Sequence, residues 1–225
     1  MEAIFREGFS PATCELLEEG SLGAVAALMP LPPALAGQQA VLLLELDGND
    51  PERLLEEAAG LGELVEGLGA GEVLAAQDTA EQRRLWQVRT LVGEAIRARS
   101  VYKEADTVVP RHRLVELVQA ARKAAGRQGL EAYCFGHAGD GNLHITMLRG
   151  DLGDDEWQAR RDAAEAELFR EVVALGGKIS GEHGIGWSQR RYLGLAVAPE
   201  VVALMAGLKR TFDPQGILNP GKIFS

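Results

Sequence analysis

The sequence predicts an α+β fold in which a mostly antiparallel sheet is flanked by helices. The first observation is a β-hairpin, because two apolar stretches at residues 132–135 and 143–148 enclose the turn-forming run Ala-Gly-Asp-Gly-Asn. A hairpin requires antiparallel pairing of its strands. The second observation is that apolar residues recur at helical spacing in other segments, most clearly over residues 79–99.

The remaining elements follow from local signals along the chain. Apolar residues spaced by three or four predict helices, short apolar runs closed by turn residues predict strands, and prolines or paired glycines end elements. In chain order the predicted elements are a helix over residues 1–9, a helical turn over 11–17, a loop at the prolines of 30–33, a strand over 41–46, a helix over 51–68, a strand over 72–76 that pairs with 41–46, a helix over 79–99, a strand over 100–109, a helix over 110–126, the hairpin, a helix over 154–175 and a helix over 199–209.

Three of these predictions depend on capping or stop signals. Ser10 as N-cap and Pro11 at the first helical position indicate the turn over 11–17. Thr79 is the expected N-cap of the long helix that follows it. The run over 41–46 is too short for a helix and is closed by Asp-Gly-Asn-Asp-Pro, so it is interpreted as a buried strand.

Composition limits the function classes. The chain has 225 residues and 46% hydrophobic content, which suits a protein with a substantial core rather than a disordered one. Its net charge of −10 disfavours general binding to nucleic acids or anionic membranes. Cys14 and Cys134 lack metal or redox spacing and are interpreted as buried thiols in a reducing compartment. With neither a signal peptide nor a membrane-spanning run in the sequence, a cytoplasmic protein is expected.

The hairpin suggests a metal site. His137 ends its first strand and His144 lies in its second, so both imidazoles should face a common point at one end of the sheet. Together with Glu182, in a glycine-rich segment, they would form the His₂Glu ligand set of zinc or a similar divalent ion, with a fourth position open. The neighbouring His183 would then face the substrate. The alternative is that each histidine is a structural, hydrogen-bonded residue.

Other polar residues give weaker signals. Arg89 and Lys103 could together hold a carboxylate, or each could be a surface cation. Asp140 is better explained as a turn residue than as a metal ligand, and His112 as a surface residue. A dinucleotide fingerprint, a phosphate-binding P-loop and a Gly-x-Ser-x-Gly motif are all absent from the sequence.

Five motifs in fixed order resemble a known family. They are Leu85-Trp-Gln-Val-Arg89, Val101-Tyr-Lys103, Phe135-Gly-His-Ala-Gly-Asp-Gly-Asn-Leu-His144, Ser180-Gly-Glu-His-Gly-Ile-Gly186 and Phe212-Asp-Pro-Gln-Gly-Ile-Leu-Asn-Pro-Gly-Lys222. The sequence thereby resembles the C-terminal domain of FAD-linked oxidases. This group of the vanillyl-alcohol-oxidase superfamily includes D-lactate dehydrogenase, glycolate oxidase and D-2-hydroxyglutarate dehydrogenase.

The resemblance implies a domain organisation. Residues 1–225 would be the C-terminal substrate and cap domain, without the FAD-binding domain that precedes it in the family. The chain would then be a domain fragment, a split-gene product or a subunit that needs a flavoprotein partner. Self-association into a homo-oligomer is also open. A non-catalytic partner or scaffold that retains the fold is the alternative function, and a metal hydrolase is a third.

The resemblance also assigns roles to residues. It implies that the His₂Glu set binds a divalent metal, expected to be zinc, and that His183 takes the hydroxyl proton of a 2-hydroxy acid whose hydride passes to FAD. Arg89 and Lys103 would bind the substrate carboxylate, and Asn219 would lie near the flavin or the domain junction. Gly93 and Thr146 stand where relatives acting on 2-hydroxyglutarate have threonine and asparagine. A small acid such as D-lactate or glycolate is therefore expected.

Overall fold

The computed structural model describes residues 1–76 and 78–224, and it confirms the predicted α+β class. The strands are β1 (Thr13–Glu18), β2 (Ala40–Glu45), β3 (Tyr102–Val108), β4 (Glu131–His137) and β5 (Asn142–Leu148). The helices are α1 (Glu2–Arg6), α2 (Glu19–Ala26), α3 (Pro51–Gly67), α4 (Thr79–Arg99), α5 (Leu114–Arg127), α6 (Asp154–Ala174), α7 (Leu193–Ala196) and α8 (Pro199–Phe212). Short 3₁₀ helices lie at Pro33–Leu35, Arg111–Arg113, Ala138–Asp140 and Arg190–Tyr192.

The five strands form one sheet in the order β2-β1-β4-β5-β3, and each neighbouring pair is antiparallel. The predicted hairpin, β4–β5, lies inside the sheet, with β1 beside β4 and β3 beside β5. Its register pairs Phe135 with His144, while β3 pairs Asp106 with the same histidine. Directly paired residues share a face of an antiparallel sheet, so these three side chains emerge on one side.

Helices cover both faces of the sheet because its strands place apolar side chains on both faces. One face contributes Ala105, Cys134, Ile145 and Met147 to an apolar cluster with α5 and α6. The opposite face contributes Leu17, Tyr133, Phe135 and Leu148 to a second cluster with α2 and α4. The result is a helix–sheet–helix arrangement in which the candidate site lies on the α2–α4 side.

Two predicted elements are wrong. Residues 11–17 do not form a helical turn, because Thr13–Glu18 is a strand that pairs with both β2 and β4. Pairing on two sides outweighs the weak helix-start signal of Ser10 and Pro11. Residues 72–76 are irregular and mostly exposed rather than a strand, and β1 takes the place beside β2 that they were expected to fill.

The strand predicted over 41–46 forms as β2, but it lies at the edge of the sheet with half-buried and exposed residues, so it is not the buried strand that was expected. Other differences are small. The N-cap of α4 is Asp78 rather than Thr79, since the Asp78 carboxylate accepts hydrogen bonds from the amides of Ala80 and Glu81 at 2.8 and 2.9 Å. Both cysteines are free and buried, as expected. Within the described part of the chain, no helix combines the length and apolar character needed to cross a bilayer.

Candidate active site

The turn of the β4–β5 hairpin brings two histidines together. β4 ends at His137, a 3₁₀ turn follows, and Gly141 adopts φ +77° before β5 begins. A side chain at Gly141 would clash, because an added Cβ would lie 2.1 Å from the Val109 carbonyl oxygen. This close turn leaves the rings of His137 and His144 with centroids 5.7 Å apart.

Glu182 lies between these two rings. Its Oε1 is 3.6 Å from His137 Nε2 and 3.3 Å from His144 Nε2, and all three candidate ligand atoms lie within 4.8 Å of one another. Tetrahedral zinc with bonds of about 2.0–2.1 Å places its ligand atoms roughly 3.4 Å apart. The two nitrogens and the carboxylate oxygen are donors of the kind that zinc binds, and both nitrogen–oxygen distances are close to this spacing.

Asp106 fixes the segment that carries Glu182. Its buried Oδ2 accepts hydrogen bonds from the amides of Gly181, Glu182 and His183 at 2.9, 2.8 and 2.8 Å, and from Ser180 Oγ at 3.1 Å. Burial alone would raise the pKa of Asp106, but these bonds and one from an amide side chain outweigh it and hold the pKa below its usual value. Asp106 is consequently a fixed anion that shapes the loop.

His183 stacks on His144 beside a second carboxylate. The two rings have centroids 5.2 Å apart and an interplanar angle of 28°. Glu104 Oε1 lies 3.6 Å from the Nδ1 atoms of both rings, whereas Glu182 lies on their Nε2 side. Burial lowers the pKa of His144 despite the neighbouring carboxylates, which favours the neutral, metal-ligating form of the ring.

Arg89 reaches the same face of the sheet from α4. Its Nε donates a 2.6 Å hydrogen bond to Glu15 Oε2, and its guanidinium lies 5.3 Å above the ring centroid of Phe135. Glu15 Oε1 is also 2.6 Å from His137 Nδ1. The sequence did not identify Glu15, because the segment that carries it was assigned to a helical turn.

The structure does not bring Lys103 to this cluster. Alternation along β3 directs Lys103 to the face opposite Glu104, and its Nζ lies 3.4 Å from the buried carboxylate of Glu165 on α6. This placement therefore conflicts with the prediction that Lys103 and Arg89 together bind the substrate carboxylate. The prediction failed because the exact position of Lys103 in the strand decides its face.

Asn219 lies in the exposed C-terminal tail with φ +47°. That tail contacts the loop after His183, since the Ile223 amide donates to the Gly186 carbonyl at 2.8 Å. The role predicted for Asn219 at a flavin or domain junction stays a prediction.

The two positions that differ from 2-hydroxyglutarate relatives border the site. Gly93 lies one helical turn after Arg89, and an added Cβ there would meet open space. Thr146 is fully buried and pairs with Glu104 across the sheet. Neither residue presents a long polar group to a substrate.

The chain has clear relatives. It is 37% identical to a D-lactate dehydrogenase of Anaerostipes hadrus over 195 residues, which covers 85% of this chain and 41% of the relative. It is 36% identical to the glycolate oxidase subunit GlcD of Bacillus subtilis, covering 96% and 45% of the two chains. A D-2-hydroxyglutarate dehydrogenase of Stutzerimonas stutzeri is 32% identical over 81% of this chain and 40% of its own length. The chain thus spans less than half of each relative.

Solved structures share the fold. Substrate-bound p-cresol methylhydroxylase superposes with a TM-score of 0.65 at 16% sequence identity, over 93% of this chain and 46% of that chain. A 4-ethylphenol oxidase from Gulosibacter chungangensis gives a TM-score of 0.59 at 12% identity. Residues 1–223 match the family described as FAD linked oxidases, C-terminal domain. The fold, the ordered motifs and these relatives together place the chain in that family of flavin-linked oxidoreductases.

Proposed function

We propose that this chain is the substrate- and metal-binding part of a flavin-dependent dehydrogenase or oxidase of small D-2-hydroxy acids. The observation that carries this proposal is the convergence of two histidines, Glu182 and His183 at one end of the sheet, with an arginine on the same face. Relatives named for D-lactate and glycolate support the substrate class.

The metal part of the proposal is supported by the donor set. The Nε2 atoms of His137 and His144 both face Glu182 Oε1, and burial favours a neutral His144. Zinc is the expected ion because it accepts two imidazoles and one carboxylate with an open fourth position. When bound, a divalent ion would lower the pKa of the substrate 2-hydroxyl, and a flavin would accept the hydride from the substrate Cα.

The protein groups would perform the remaining steps. His183 is half-exposed beside the ligands, and its Nε2, on the side of Glu182, would take the hydroxyl proton as the carbonyl forms. Arg89 would hold the substrate carboxylate through its terminal nitrogens, because its Nε is already bound to Glu15. Gly93 and Thr146 offer no long polar group for a second carboxylate, which favours D-lactate or glycolate over 2-hydroxyglutarate.

A flavin-binding domain or subunit is the proposed partner. The relatives are more than twice as long as the region they share with this chain, so they contain room for another domain. Helix α8 presents a stripe of exposed apolar side chains at helical spacing. Its members are Val201, Leu204, Leu208 and Phe212, which are 48, 65, 54 and 81% exposed, respectively. The adjoining tail touches the His183 loop, so a partner on this stripe would lie near the site. A cytoplasmic location also belongs to the proposal.

The proposal is tested by reconstitution with a flavin-binding domain. The complex should reduce an electron-accepting dye with D-lactate or glycolate, and His183→Ala should abolish turnover. The matched control is His112→Ala, an exposed histidine in a 3₁₀ helix, which should leave turnover unchanged. Metal analysis should find one divalent ion per chain, lost in His144→Ala.

Two outcomes would contradict the catalytic proposal. Full turnover in the His183 variant would remove that residue from the mechanism. A complex that forms but never reduces the dye would instead favour the non-catalytic partner or scaffold.

A further inference from the structure

We infer that Glu15 is a positioning residue that couples the substrate-binding arginine to a metal-binding histidine. One carboxylate oxygen bonds His137 Nδ1 and the other bonds Arg89 Nε, each at 2.6 Å. This inference rests on the proposed function of the site. It goes beyond that function by assigning a residue that would touch neither metal nor substrate.

The position of Glu15 in the sheet makes the contact with His137 rigid. β1 and β4 pair with Glu15 directly opposite His137, so the two side chains emerge on the same face. Glu15 is only 4% exposed. An ionised carboxylate can only accept hydrogen bonds, so His137 Nδ1 is the donor to Glu15, which leaves Nε2, on the side of Glu182, as the nitrogen that would bind a metal.

The second oxygen orients the arginine. Because Arg89 Nε is held by Glu15 and the guanidinium lies over the ring of Phe135, the plane of the guanidinium is restricted in two directions. Among the described residues, no carboxylate accepts a hydrogen bond from the terminal nitrogens of Arg89. Their direction relative to the histidine cluster is therefore set through Glu15.

Glutamine cannot accept from both partners of Glu15. An amide offers one oxygen acceptor and one NH₂ donor, whereas both carboxylate oxygens accept. In Glu15→Gln, either Arg89 Nε faces the NH₂ group and loses its bond, or His137 Nδ1 faces it and must accept, which moves the ring proton to Nε2, the atom that would bind the metal. The amide has nearly the same size as the carboxylate, so this variant removes the coupling with little change in packing.

A matched control exists on the same strand. Glu18 is equally buried and forms an ion pair with Arg122, and its carboxylate also accepts from the amides of Gly20 and Cys134. It has no contact with the candidate site in the described structure. Glu18→Gln therefore measures the cost of neutralising a buried carboxylate in β1 without disturbing the site.

The experiment compares Zn²⁺ affinity of the full chain and both variants by competition with a coloured chelator. Glu15→Gln should weaken Zn²⁺ binding by about 10–100-fold, as is typical when the hydrogen-bond acceptor of a ligand histidine is lost. Glu18→Gln should bind Zn²⁺ as the unchanged chain does. Equal affinity in all three proteins would overturn the inference.

Nitrogen NMR of the metal-free protein gives a second readout that a general loss of stability would not produce. His137 should show a protonated Nδ1 in the unchanged chain and in Glu18→Gln, and a mixture of tautomers in Glu15→Gln. A protonated Nδ1 that survives in Glu15→Gln would contradict the assigned role. If the unchanged chain binds no Zn²⁺, the proposed function fails, while this NMR comparison still decides what Glu15 does.

A variant on the arginine side covers the case in which Glu15→Gln does not fold. Arg89→Lys retains the positive charge but removes the Nε–H that holds Glu15. The His137 Nδ1 proton signal should shift in this variant because Glu15 loses one of its two anchors. An unshifted signal would refute the coupling between arginine and histidine.

Discussion

Replacing Asp106 with asparagine would test how the site loop is held. The structure gives one oxygen of Asp106 four donors, three of them backbone amides of residues 181–183. The other oxygen accepts from Asn142 Nδ2 at 2.7 Å. Asn142 Oδ1 is buried without a partner among the described residues, so a flipped Asn142 could accept from the new amide.

The magnitude follows from the four bonds that would lose their charge. A hydrogen bond to an ionised acceptor contributes about 1.5–3 kcal/mol and a neutral one about 0.5–1.5 kcal/mol, so each bond weakens by roughly 1 kcal/mol. The four bonds share one oxygen and do not add fully. We expect Asp106→Asn to lower the free energy of unfolding by roughly 2–3 kcal/mol near neutral pH.

The assay is urea unfolding followed by tryptophan fluorescence and circular dichroism. Asp154→Asn is the matched control, since Asp154 pairs with Arg149 but its side chain is 85% exposed, and its change should stay within about 0.5 kcal/mol. If Asp106→Asn unfolds at the same urea concentration as the unchanged chain, Asp106 does not hold the loop.

Three further predictions concern the core, acid stability and the apolar stripe. Leu117→Ala should cost about 2–5 kcal/mol in urea unfolding, because Leu117 is fully buried, and a cost near zero would contradict the assigned core. Hydrogen bonds from Arg191 lower the pKa of Asp162. The contribution of Asp162 to stability is therefore present above its unfolded pKa of about 3.9 and is lost as pH falls through its folded pKa. Asp162→Asn should flatten the acid side of the curve of unfolding free energy against pH, and an unchanged slope would show that Asp162 makes no such contribution. Phe212→Ser should leave the free energy of unfolding unchanged, since Phe212 is 81% exposed. It should weaken the affinity for a flavin-binding domain measured by calorimetry, and an unchanged affinity would exclude this residue from the interface.

The sequence predicted elements well where one local signal dominated. The hairpin was correct because its turn residues and flanking apolar strands indicate the same structure. Helix α4 was correct in extent because its apolar positions repeat over many turns. The strand β1 was missed because its identity depends on pairing with segments that are distant in sequence, which local spacing does not record.

The same distinction applies to the site. His137 and His144 lie on one hairpin, so their proximity followed from local structure. Glu15 could not be found this way, because only the sheet register places it opposite His137. Lys103 was misassigned because a difference of one residue along a strand selects the opposite face.

The pairing of β1 with β4 has a consequence for how the protein folds. Glu15 and His137 are 122 residues apart in sequence, so their contact requires closure of a very long loop. The β4–β5 hairpin and its flanking helices can form from nearby residues, whereas we expect β1 to be recruited late. In refolding experiments we therefore expect tight binding of Zn²⁺ to lag behind the rise in secondary structure, and tight binding that is complete as soon as the secondary structure has formed would contradict this order. The site would then be completed only when the N-terminal strand docks.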